Sequence, residues 1–126
     1  MSGEESQVDR MLARARVEIA PRVQPADLVS VWKARGLVVD TRPVELRQRD
    51  GEIPGAVVVD RNVLEWRLDP SSPHRMPESS DHDRVVVLVC NEGYASTLAA
   101  VTLRRLGLHR ATDLDGGFQA WRRLQG

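Results

Sequence analysis

One thiol is available to this chain of 126 residues, that of Cys90. It stands in "VVVLVCNEGYAS", where a continuous apolar run meets a short polar loop. Ser96 and Thr97 follow, and both are good helix N-cap types. A cysteine between a strand end and a helix start faces successive backbone N–H groups, and these, with the helix dipole, favour an anion. The same field lowers a thiol pKa, and the thiolate is the nucleophile. Gly93 lets the loop curl where a side chain would clash or positive φ is needed. Lone cysteines are most often small buried hydrophobes. Strand end, glycine loop and helix start together set a reactive thiol beside that plainer reading.

Little else in the chain competes for chemistry. A single cysteine forms no intramolecular disulfide, and there is no CxxC or Cys/His cluster for zinc, so no metal site is expected. His74 and His82 fall in a polar loop and His109 follows a helix stop, so all three are expected in solvent. Lys and Arg total 18 and Asp and Glu total 18, a zero balance that argues against nucleic acid or an anionic membrane as the main partner. No apolar run is long enough to cross a bilayer. The opening "MSGEESQVDR" is polar and acidic without a hydrophobic signal core, and a reducing cytoplasm is the expected compartment.

The elements that must position Cys90 follow from periodicity. "QVDRMLARARVEIA" has helical spacing, and "PRVQ" is a candidate short strand. "QPADLVSVWKARG" reads as a helix with Pro25 in its first turn and Gly36 at its stop. Strands are expected at 37–40, at 56–59, in "RVVVLVC" and in "ATDLDGG". Helices are expected in "TRPVELRQRDG", briefly in "RNVLEWRLDP", over 96–106 and in "FQAWRRLQ". Residues 69–83 are rich in Pro, Ser and His and form the longest and most mobile loop of this reading. Alternating strands and helices imply an α/β fold with a parallel sheet, whose ligands gather beyond the carboxyl ends of the strands. Asp40, Asp60 and Cys90 end three of those strands.

Three ordered motifs carry a resemblance. "CNEGYAS" resembles the active-site loop of rhodanese-like (sulfurtransferase) domains. "VVDTRPVELRQRDGEIPGA" resembles that family's first motif, and "LDGGFQAW" its C-terminal motif. The resemblance implies a central parallel sheet of about five strands flanked by helices on both faces. Length suits one domain over residues 1–126, with 1–21 expected as a helical extension packed on it. Cys90 would attack the outer sulfur of thiosulfate or a persulfide, becoming a persulfide itself. The loop N–H groups of Asn91, Glu92, Gly93, Tyr94, Ala95 and Ser96 would cradle that sulfur. Cyanide or a cellular thiol would then take it in a ping-pong cycle. No cofactor is implied, and oligomeric state stays open. Asp40 and Arg42 match the family's Asp-x-Arg and are expected to brace the sheet edge, while Trp121 is expected in the core.

Two departures matter. Glu52 stands where the family usually has His, on what is expected to be the far side of the sheet from the site. The loop also lacks the Arg or Lys that many family members place there, and Glu92 adds a negative charge. Arg61, just after the third strand, is the candidate replacement at the pocket mouth, with Arg67 behind it; an unchanged Michaelis constant for thiosulfate in Arg61→Ala would remove that role. Phosphatases of the Cdc-twenty-five type share the fold, but a Cys-x5-Arg loop would need arginine at Ser96. A reductase would need a second, resolving cysteine. The remaining alternative is a non-catalytic module for protein binding or sulfur sensing, whose partner binding would survive Cys90→Ser.

Overall fold

The computed structural model describes residues 5–126. Helix α1 (Gln7–Glu18) starts at Ser6, whose hydroxyl oxygen accepts from the Asp9 N–H at 3.1 Å. A 3-10 turn (Pro25–Asp27) leads into α2 (Leu28–Lys33), so the helix expected from Gln24 begins in tighter form at its proline. Then come β1 (Leu37–Asp40), α3 (Val44–Asp50), β2 (Val57–Val58) and α4 (Leu64–Leu68). Strand β3 (Val86–Val89), α5 (Ala95–Arg105), β4 (Ala111–Asp113) and α6 (Gly117–Leu124) complete the chain. The four strands form one parallel sheet in the order β2-β1-β3-β4. The expected fifth strand at "PRVQ" is a single parallel bridge from Val23 to Leu114.

Strand side chains alternate between two covered faces, which explains the uninterrupted apolar runs. Leu37, Val39, Val86 and Leu88 meet α1, α4 and α5 through Ile19, Leu64, Leu68 and Leu103. Val38, Val87 and Val89 face α2 and α6 through Leu28 and Phe118. Each such side chain contributes about 1.5–3 kcal/mol of burial. Trp121 is only half buried, tilted against Phe118 at 5.6 Å. Residues 69–83 are irregular but anchored: Met76 is buried, its N–H bonds the Arg67 carbonyl at 2.8 Å, and the buried Ser79 hydroxyl donates to the Leu68 carbonyl.

The topology fixes where a ligand can sit. From β1 the chain moves outward to β2, then returns past β1 to β3 and continues to β4. The two directions diverge between β1 and β3, and their carboxyl ends form the crevice characteristic of such sheets. Asp40 ends β1, and Cys90 directly follows β3. Arg42 is clamped there, its Nη2 2.8 Å from Asp40 Oδ2 and 2.8 Å from the Gly51 carbonyl, with its guanidinium 3.6 Å above the Phe118 ring. This buried pair braces the edge of the crevice, as the match to the family's Asp-x-Arg implied.

Candidate active site

Cys90 is 9% exposed, at the base of the loop that joins β3 to α5. Two backbone donors converge on its sulfur: the Gly93 N–H at 3.2 Å and the Ser96 N–H at 3.3 Å. The thiol in turn donates to Ser96 Oγ at 3.1 Å. Among the described residues, the N–H groups of Asn91, Glu92 and Tyr94 have no hydrogen-bond partner within the protein. Two loop N–H donors thus contact the sulfur, and the three unpartnered ones lie in the same short loop. Backbone donors of this kind stabilise a sulfur anion without any side-chain cation.

Glycines make that curl possible. Gly93 has φ of +86°, and a Cβ there would stand 2.8 Å from the Gly116 nitrogen. On the facing side, a Cβ on Gly117 would come within 2.6 Å of the Cys90 carbonyl oxygen and 2.7 Å of the Gly93 nitrogen. The start of α6 is thus pressed against the back of the loop. Its first free N–H groups hold it there, Phe118 N–H to the Cys90 carbonyl at 2.8 Å and Gln119 N–H to the Asn91 carbonyl at 3.1 Å. The paired glycines of "LDGGFQAW" are therefore a close-approach surface for the cysteine loop.

Behind the loop lies a charged cluster that local sequence patterns did not reveal. Asp113 ends β4 and is 0% exposed. Its Oδ2 accepts from the Ser96 hydroxyl at 2.8 Å and the Thr97 hydroxyl at 2.7 Å. Arg22 donates to it from Nε at 2.7 Å and Nη2 at 3.1 Å, and reaches Asp115 with Nη1 at 3.0 Å. Burial works against the charged Arg22, but the hydrogen bond and charge of Asp113, then Asp115 and the nearby Cys90 sulfur, hold its pKa above the ordinary arginine value. Arg22 Nη2 and Arg16 Nη2 each donate to the Gly93 carbonyl at 3.0 Å. Both arginines precede Gly93 by more than 70 residues, so no local spacing connects them with the loop.

Asn91 is tied to the first motif. Gln119 Nε2 donates to Asn91 Oδ1 at 3.0 Å and to Asp50 Oδ2 at 2.9 Å. Asp50, two residues before Glu52, thus reaches the loop through Gln119, whereas Glu52 itself is exposed and pairs with Arg47 at 3.3 Å. The hydrogen bond from Arg49 is the main cause that holds the Asp50 carboxyl below the usual carboxylate range; burial opposes it, and Gln119 and the charges of Arg49 and Arg122 add to it. Because the folded pKa is depressed, the unfolded chain takes up this proton first. The contribution of Asp50 is full above about pH 4 and fades as pH falls. Melting temperature followed from about pH 5 down to about pH 2 should therefore drop less steeply in Asp50→Asn than in the wild type; parallel curves would remove this role.

The structure brings Asn91, Glu92, Gly93, Tyr94, Ala95 and Ser96 together around Cys90, with Glu92 and Tyr94 exposed. Helix α5 starts at Ala95, one residue before the expected caps, so Ser96 turns its hydroxyl inward to Asp113. Arg61 is 43% exposed and bonded to Glu65 at 3.0 Å, and no hydrogen bond joins it to the loop. Arg67 donates to the His74 carbonyl. His74, His82 and His109 are exposed. Among the described residues, no group of three His, Cys, Asp or Glu side chains could hold a metal ion, and no helix is long and apolar enough to cross a membrane.

Known proteins place this geometry in context. The rhodanese-like domain model matches residues 26–124. A Candida albicans adenylyltransferase and sulfurtransferase is 31% identical over 79% of the chain, which spans 23% of that protein's length. A Stutzerimonas stutzeri thiosulfate sulfurtransferase is 27% identical over 80% of the chain and 84% of its own length. A Rhodopseudomonas palustris structure described as a possible tyrosine phosphatase superposes with a TM-score of 0.83 at 32% identity, covering 100% of this chain and 96% of that one. Its likeness, unlike the family match, includes the segment before residue 26. With the parallel sheet, the cysteine loop at its crevice and the family model over most of the sequence, the chain belongs to the rhodanese-like domain family.

Proposed function

We propose that the protein is a sulfurtransferase that carries sulfane sulfur as a persulfide on Cys90. The observation that carries this reading is the convergence of the Gly93 and Ser96 N–H groups on the Cys90 sulfur, with further loop N–H groups left open. With thiosulfate, the Cys90 thiolate forms a bond to the outer sulfur while the sulfur–sulfur bond of the donor breaks. Its electron pair leaves on sulfite, and the enzyme keeps the terminal sulfur as an anionic persulfide. Cyanide, or a thiolate acceptor, then bonds that terminal sulfur and returns the electron pair to Cys90. Charge balances in both halves, and no metal, cofactor or external oxidant enters. The loop N–H groups from Asn91 to Ser96 stabilise the persulfide anion where it forms, which is where preorganised donors lower a barrier most. We read residues 1–126 as one functional unit. A lone thiol that must return to its reduced form suits a reducing cytoplasm.

The likeness to a possible tyrosine phosphatase raises phosphoryl transfer as a second reading. Against it, the position that would need arginine is Ser96, whose hydroxyl is bonded to Asp113. Without an arginine at that position the loop lacks the clamp that a transferring phosphoryl group needs. Steady-state formation of thiocyanate from thiosulfate and cyanide separates the two. Parallel double-reciprocal lines are expected, since the first product leaves before the acceptor binds. Phosphatase turnover on an aryl phosphate, with no thiocyanate from either thiosulfate or polysulfide, would overturn the proposal.

A further inference from the structure

We propose that Arg16, on the helix that precedes the matched domain, is a positioning residue of the active site and the source of the positive charge that the cysteine loop itself lacks, so that the site favours an anionic sulfur donor. The inference rests on the sulfurtransferase reading for its substrate and on geometry for its site. Within residues 91–96 the only charged side chain is that of Glu92. Two guanidinium groups touch this loop from behind, both on the Gly93 carbonyl. Arg22 is compensated there by Asp113 and Asp115. Arg16 makes no ion pair among the described residues, its Nε–H is buried without a partner, and its guanidinium lies 5.6 Å from the centre of the Tyr94 ring. Its positive charge is thus the uncompensated one at the loop.

The contact also sets backbone direction. The Gly93 carbonyl and the Tyr94 N–H belong to one planar trans peptide and point opposite ways. Two guanidinium donors on the carbonyl therefore hold the Tyr94 N–H away from themselves, and it has no partner within the protein. Arg16 and Tyr94 also wall a groove of about 440 Å³ with Val8, Asp9 and Leu12, so the charge is approachable from solvent. Glu5 and Asp9 line the same groove and temper the field, but neither is bonded to the loop.

The test uses the single thiol and needs no sulfur donor. Iodoacetate and iodoacetamide are close in size and are attacked by the same thiolate with loss of iodide, so the thiolate fraction cancels from the ratio of their rates and the ratio reads the field at Cys90. In the wild type at low salt this ratio should exceed that of an unstructured cysteine peptide and should fall toward it as salt is added. Arg16→Gln keeps a donor for the Gly93 carbonyl but removes the charge, and should lower the ratio about five-fold at low salt. Arg16→Lys should preserve it, and Arg61→Gln should leave it unchanged. With thiosulfate, Arg16→Gln should raise KM and leave kcat within about two-fold. A wild-type ratio at or below that of the peptide would overturn the proposal even if Arg16→Gln fails to fold. So would an unchanged ratio in folded Arg16→Gln, or a fall in Arg61→Gln instead. Absence of any sulfur uptake by the wild type would refute the sulfurtransferase reading and leave the ratio experiment standing.

Discussion

Cys90→Ser is expected to lose thiocyanate formation by a factor on the order of 10⁴ or more, with its melting temperature within a few degrees of the wild type. A hydroxyl is almost wholly protonated near neutral pH, and no other thiol exists in the chain to take its place. The serine oxygen would meet the same donors, the Gly93 and Ser96 N–H groups, so the loop keeps its shape. The kinetic and structural effects are thereby separated. A binding or sensing module would show no activity to lose, and its partner would bind the variant as well as the wild type. Retention of turnover in Cys90→Ser would place the nucleophile elsewhere and contradict the mechanism.

Asp113→Ala carries the second large effect, this time on both stability and rate. Asp113 is fully buried and accepts four hydrogen bonds, two from Arg22 and one each from Ser96 and Thr97. Its removal leaves a guanidinium only 12% exposed with Asp115 as its remaining carboxylate. Breaking a buried pair from one side costs about 3–5 kcal/mol. The Ser96 hydroxyl would lose its acceptor and be free to turn to the sulfur. Arg22, no longer fixed, would also slacken its hold on the Gly93 carbonyl. A displacement of about 1 Å in the loop is enough to lower turnover about 100-fold. Asp113→Asn keeps the shape and most acceptor positions and should lose less on both counts. Urea titration and thiocyanate kinetics on the two variants check this. Destabilisation below about 1 kcal/mol with unchanged turnover would show that the cluster does not support the loop.

The part of the site that was legible in the sequence is the part that is local in the chain. Apolar runs marked β1 and β3 because both their faces are covered, and Gly93 with the apolar-to-polar break marked the turn after Cys90. The Asp40–Arg42 brace was readable because the two residues match the family's Asp-x-Arg. The support behind the loop was not readable, since it joins α1, the bridge at Val23, β4 and α6 across the fold. Arg22 sits in "PRVQ", a candidate strand that the structure reduces to a single bridge, and nothing in that stretch points to Asp113. Arg16 was one of many charges on a helix expected to pack on the domain, and its spacing did not single it out. Arg61 was singled out by adjacency to a strand end, whereas the guanidinium contacts to the loop come from Arg16 and Arg22, far before it in sequence. Residues 69–83 looked mobile by composition, but composition does not reveal that Met76 finds a buried site.

Intact-mass spectrometry after incubation with thiosulfate, followed by cyanide, tests the central claim most directly. The account predicts a gain of one sulfur atom on the wild type, none on Cys90→Ala, and return to the starting mass once cyanide is added. No gain from thiosulfate or from a polysulfide donor, or a gain that persists in Cys90→Ala, would contradict it.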